Sequence, residues 1–82
     1  MKVSAYIFVQ VERGEPWDMA KEILDLEGVK TARAVTGQYD IIAFAELPNL
    51  KAMGEIVREI HNIEGVQRSQ TAICLPFESL EK

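Results

Sequence analysis

The 82-residue chain predicts an α+β sandwich with the element order β-α-β-β-α-β. Three observations predict it. Four stretches carry apolar residues at the spacing of strands. Two stretches between them carry apolar residues at the spacing of helices. A short phrase also occurs twice: Leu26-Glu27-Gly28-Val29 returns as Ile63-Glu64-Gly65-Val66. Each copy closes a helix on Gly and opens a strand on Val. The chain therefore divides into two similar halves, joined at Val35-Thr36-Gly37-Gln38-Tyr39-Asp40.

The first strand follows from Val3, Ala5, Ile7, Val9 and Val11, which alternate with Ser4, Tyr6, Phe8 and Gln10. Glu12-Arg13-Gly14-Glu15-Pro16 breaks it, and Pro16 suits the first turn of a helix. Met19, Ala20, Ile23 and Leu26 then trace one helical face, which Trp17 and Leu24 widen. Gly28 is expected as the left-handed cap of that helix. Val29 to Thr36 reads as the second strand and Ile41 to Leu47 as the third. The Gly between them, next to polar residues, is hairpin chemistry, because Gly tolerates positive φ.

Pro48-Asn49 stops the third strand, and Asn49 can cap the next helix by accepting its free N–H groups. Leu50, Met53, Val57 and Ile60 form the apolar face of that helix, with Ile56 and Ile63 beside it, and Glu64-Gly65 ends it. Close packing against the sheet is the expected reason for Gly54 within it. Val66 to Leu75 is the last strand. Residues 1–76 thus read as one domain and residues 77–82 as a polar tail. Two β-α-β halves in this order make a ferredoxin-like sandwich: four antiparallel strands with both helices on one face.

That arrangement leaves one sheet face uncovered, and its residues are not polar. The first strand holds apolar residues on both parities; in the third, Ile41, Ala43 and Ala45 lie on one face and Ile42 and Phe44 on the other; in the fourth, Ala72 and Cys74 oppose Ile73 and Leu75. Such a surface is an interface, and a second copy of the chain across a two-fold axis is its expected partner. A domain this small also gains stability by oligomerising.

Composition narrows the function. A net charge of −4 repels phosphate backbones, so direct nucleic-acid binding is not expected. No run approaches the roughly 18 apolar residues of a membrane span. The first strand begins at once and alternates, unlike a signal peptide. A single cysteine, Cys74, excludes an internal disulfide and a CxxC site, and favours a reducing, cytoplasmic setting. Cys74 reads as a small packing residue. His61, the one histidine, reads as a cation favoured at a helix C-terminus. No metal cage, P-loop, dinucleotide fingerprint or acid/base pair is present, so neither a metal, a cofactor nor a catalytic residue is assigned.

Two polar sets remain. Gly37, Gln38, Tyr39 and Asp40 occupy the hairpin, and Ser69 and Thr71 share one face of the last strand. By their chemistry alone, Asp40 and Thr36 can simply brace the turn, and Ser69 and Thr71 can be ordinary strand residues.

The hairpin sequence, followed by Ile63-Glu64-Gly65-Val66-Gln67-Arg68-Ser69-Gln70-Thr71, resembles the ligand-binding domain of the Lrp/AsnC regulators, also called the RAM domain. The resemblance runs from about Ala5 to Leu75. It implies a dimeric α+β barrel type of fold, dimers joined through the open sheet face, and rings of usually eight or ten subunits. It implies an amino-acid effector at the seam between dimers, with Gly37, Gln38, Tyr39, Asp40, Ser69 and Thr71 as its contacts. Exposed turn N–H groups suit the effector's carboxylate. Asp40 or a carbonyl suits its ammonium, and the hydroxyls suit either end.

Full-length members also carry an N-terminal helix-turn-helix, and here Met1 lies immediately before the first strand. The expected role is therefore that of a non-enzymatic effector-binding and oligomerisation module. A full-length Lrp/AsnC regulator is a further candidate partner. Two other classes share features of the sequence. Dimeric α+β barrel enzymes, such as small oxygenases or isomerases, share the topology but need a catalytic His, a haem ligand or a paired acid and base. ACT-like regulatory domains open their first helix on a Pro-Gly turn, whereas this chain has Gly14-Glu15-Pro16.

Overall fold

A computed structural model describes residues 2–82. Its elements are β1 (Val3–Val11), α1 (Pro16–Leu24), β2 (Val29–Ala34), β3 (Ile41–Leu47), α2 (Leu50–His61) and β4 (Val66–Ile73). The order is the expected one. All strand pairs are antiparallel, in the spatial order β2-β3-β1-β4. The centre of the sheet is β1 beside β3, and β2 and β4 are its edges.

Both helices start on a side-chain cap. The Glu15 carboxylate accepts the N–H of Trp17 at 2.8 Å, with Pro16 in the first turn. Asn49 Oδ1 accepts the N–H of Ala52 at 2.8 Å. Both helices end sooner than the sequence suggests. Asp25 caps α1 and Asn62 caps α2, each three residues before the glycine expected to do so. The repeated phrase is a turn rather than a helix end. Val29 N–H donates to the Leu26 carbonyl and Val66 N–H to the Ile63 carbonyl, both at 3.2 Å. Gly65 closes its copy with φ +101°, and the Gly65 carbonyl accepts the N–H of Glu12 at 2.7 Å. A Cβ on Gly65 would collide with the Arg13 carbonyl, so only glycine fits there.

The register sorts every strand residue onto one of two faces. Ala5 opposite Ala45, Ile7 opposite Ala43 and Val9 opposite Ile41 lie beneath the helices, fully buried. Met19, Ala20 and Ile23 of α1, and Met53, Ile56 and Ile60 of α2, close over them. Each large aliphatic side chain buried this way contributes about 1.5–3 kcal/mol. On the other face Tyr6 opposes Phe44 and Phe8 opposes Ile42, half-covered by their neighbours alone. The Tyr6 and Phe44 rings lie 4.9 Å apart, centre to centre.

Several expectations are corrected. The strand β2 stops at Ala34 rather than Thr36, because the hairpin loop begins earlier. Trp17, Leu24 and Leu50 lie at the margins of their helical faces and are exposed. Gly54 is exposed, and a Cβ there would meet nothing within 4 Å, so close packing does not explain it. Among the described residues no helix is long and apolar enough to cross a membrane.

Candidate ligand-binding site

The hairpin is closed by Val35 N–H donating to the Asp40 carbonyl at 2.9 Å. Residues 36–39 form its loop. Thr36, Gly37 and Gln38 are exposed, while Tyr39 and Asp40 are half-buried. Gly37 has φ +115°, which favours glycine, although open space surrounds the position of its missing Cβ. Among the described residues the N–H groups of Gly37 and Gln38 find no partner within the chain. They are two donors at an exposed turn, a suitable seat for a carboxylate.

Asp40 has a structural task. The strand β1 runs on past the start of β3, which would leave the Val11 N–H without a ladder partner. Asp40 Oδ2 accepts that N–H at 2.8 Å, and the Asp40 N–H donates to the Val9 carbonyl at 2.9 Å. Of the two roles open to Asp40 in the sequence, bracing the turn is therefore realised. Its second carboxylate oxygen is not used by these bonds.

Tyr39 folds over the open face. Its ring lies 5.7 Å from that of Phe8, and its hydroxyl donates to Gln70 Oε1 at 3.1 Å. This clasp ties the loop across β1 to β4. Neither Phe8 nor Gln70 was read from the sequence as a partner of Tyr39. Their shared parity on paired strands is the only signal, and it requires the register to read it.

Ser69 and Thr71 face the other way. They oppose Val9 and Ile7 in the β1–β4 register, so they belong to the helix side of the sheet. Both are half-buried. Ser69 Oγ lies 2.7 Å from His61 Nε2 at the end of α2. The candidate residues thus fall into two groups on opposite faces of one chain, yet at one level of the sheet. Val9 bonds Asp40 on one side and pairs with Ser69 on the other.

A groove of about 660 Å³ lies elsewhere. It lies at the far end of the open face, where Tyr6, Phe44, Ile73, Leu75 and Phe77 line it. It contains no carboxylate and is a poor match for a zwitterion. Among the described residues no group of three or more His, Cys, Asp or Glu side chains gathers to hold a metal ion.

Residues 4–77 match the family model described as the Lrp/AsnC ligand binding domain. The chain belongs to that family. An HTH-type transcriptional regulator LysM of Saccharolobus solfataricus is 28% identical over 75 residues, which are 90% of this chain and 53% of the regulator. This Lrp/AsnC chain spans about half the length, or less, of the curated regulators it matches. Among solved structures, a hypothetical protein of Pyrococcus horikoshii is 28% identical, with a TM-score of 0.80 and 89% of each chain covered. A transcriptional regulator of Neisseria meningitidis, solved in complex with L-Met, shares the fold at 24% identity and a TM-score of 0.78. That match covers 89% of this chain and 49% of the regulator. The curated relatives of this Lrp/AsnC domain are transcriptional regulators, not enzymes.

Proposed function

We propose that this Lrp/AsnC domain is a non-enzymatic module that binds an amino acid where the hairpin meets β4, at a contact between subunits. One observation carries the reading. The exposed loop offers the free N–H groups of Gly37 and Gln38, and Asp40 at its base bonds Val9, the residue that pairs with Ser69; Thr71 lies two residues along the same face of β4. Donors suit a carboxylate and hydroxyl oxygens suit an ammonium, which together are the two ends of an amino acid. The two groups lie on opposite faces of one chain, so a complete site takes the loop of one subunit and the strand of another. The L-Met bound to the Neisseria regulator supports an amino acid as the ligand class.

The open face is the matching surface for assembly. Tyr6, Phe8, Ile42 and Phe44 form its apolar centre, with Arg33, Gln10 and Arg68 around them. A second copy covers it, and dimers joined at the hairpins would complete the ligand sites. A full-length regulator of the same family is a further candidate partner for that face.

The test is a melting-temperature screen against the twenty amino acids, with particle mass measured in parallel. One amino acid should stabilise the protein by about 2.7 kcal/mol per site at a concentration 100 times its dissociation constant. The particle should exceed the 9.2 kDa of one chain. No stabilisation by any of the twenty, or a folded monomer that binds fully, would reject this function.

A further inference from the structure

We propose that His61 is a positioning residue of the amino-acid site: it holds the Ser69 proton, so that the Ser69 lone pairs point outward to receive the ligand's ammonium group. This rests on the reading of Ser69 as a ligand contact. The pair is the shortest side-chain to side-chain hydrogen bond among the described residues, at 2.7 Å. His61 is the last residue of α2 and Ser69 the fourth of β4. The turn through Ile63 and Gly65 brings the strand back beside the helix end, which is why two residues eight apart meet.

A serine hydroxyl has one proton and two lone pairs. Left to itself it rotates, and it greets a carboxylate or an ammonium equally well. A ring nitrogen at hydrogen-bond distance removes that freedom. A neutral imidazole carries its proton on one nitrogen and accepts at the other. In the arrangement we propose, that proton sits on Nδ1, the nitrogen nearer the main chain. Nε2 is then the acceptor, Ser69 O–H donates to it, and the oxygen is left to face outward. The site has use for such an acceptor, because one oxygen of Asp40 is already bonded to the Val11 N–H. Thr71, two residues along the same face of β4, adds a second hydroxyl. His61 thereby makes this side of the site selective for the ammonium end.

The test uses the full chain, and the single histidine gives it an unambiguous signal. Nitrogen–proton correlation spectra at mildly alkaline pH should show His61 with a protonated Nδ1 and a bare Nε2. A proton on Nε2 overturns the proposal. The second arm is calorimetric titration with L-methionine, or with whichever of the twenty amino acids gives the largest melting shift. His61→Leu should weaken binding about 3- to 10-fold, one neutral hydrogen bond's worth. His61→Gln, whose amide oxygen can accept the same proton, should stay near wild type. In a Ser69→Ala background His61→Leu should cost nothing further, because its partner is gone. An equal loss with and without Ser69 overturns the proposal. So does an unchanged affinity in His61→Leu when Ser69→Ala weakens binding. If Ser69→Ala binds like wild type, Ser69 is no contact, and the reading beneath this one fails with it. Melting temperatures of each variant separate lost folding from lost binding.

Discussion

The two faces of the sheet are cut from the same strands, residue by residue, and have opposite fates. On the helix side Ile7, Val9, Ile41 and Ala43 are completely buried. One residue away, on the open side, Tyr6 is 46% exposed, and Phe8, Ile42 and Phe44 are only half-buried. Both faces are apolar. The difference is that two helices cover one of them, whereas no helix covers the other, against which Tyr39 and the segment around Phe77 lie. Similar chemistry therefore builds the core on one side and stays partly exposed on the other. The hairpin lies at this division: Tyr39 packs with the open face and Asp40 secures the end of β1, while Ser69 of β4 faces the helix side.

The sharpest way to break the comparison is to put the same charge on each face. Ile7→Asp places an unpaired carboxylate in the core and should cost on the order of 5 kcal/mol, as much as many small domains have. Circular dichroism should show an unfolded chain. Phe44→Asp should leave the monomer folded and break the assembly, with a loss of association on the order of 3–5 kcal/mol that ultracentrifugation would read. A folded Ile7→Asp protein, or an intact Phe44→Asp assembly, would mean that the roles of the two faces are misassigned.

The loop gives a finer test. Asp40→Ala removes a charged acceptor from the Val11 N–H and should cost about 1.5–3 kcal/mol in denaturant unfolding. Asp40→Asn keeps an acceptor and should recover most of that stability. If Asp40→Asn binds its amino acid as wild type does, the carboxylate serves the fold alone. Tyr39→Phe keeps the contact with Phe8 and loses only the bond to Gln70, about 0.5–1.5 kcal/mol. Its effect should appear as weaker assembly if the clasp shapes the open face. Gly54→Ala is the smallest change and the only stabilising one. An exposed helix interior with free space should gain about 0.5–1 kcal/mol from it, read as a higher melting temperature. A loss instead would show that the outer side of α2 is covered too.

Much of this was legible before any coordinates. Alternation gave β1, and helical spacing gave the buried Met19, Ile23, Met53 and Ile60, because burial on one side leaves a period in the chain. Asn49 announced its own helix, since its side chain acts within three residues. The glycines of the repeated phrase were visible, but their task was not. A sequence shows that Gly can take positive φ. It does not show that the helix has already stopped at Asp25 or Asn62, or that the Arg13 carbonyl lies against Gly65.

What the sequence determined by itself are the properties that act locally: element order, strand parity, the Asn49 cap of α2, the hairpin, and the parity shared by Ser69 and Thr71. What only the tertiary structure decided are the pairings between distant residues. The sequence left Asp40 free to hold a ligand or a turn, and the overrun of β1 past β3 gave it the turn. It placed Ser69 and His61 apart, and the return of β4 along α2 joined them. Local preferences act within a few residues and are written in the order of the chain. Pairings depend on register and on which face the helices cover, and those are fixed only when the whole sheet closes.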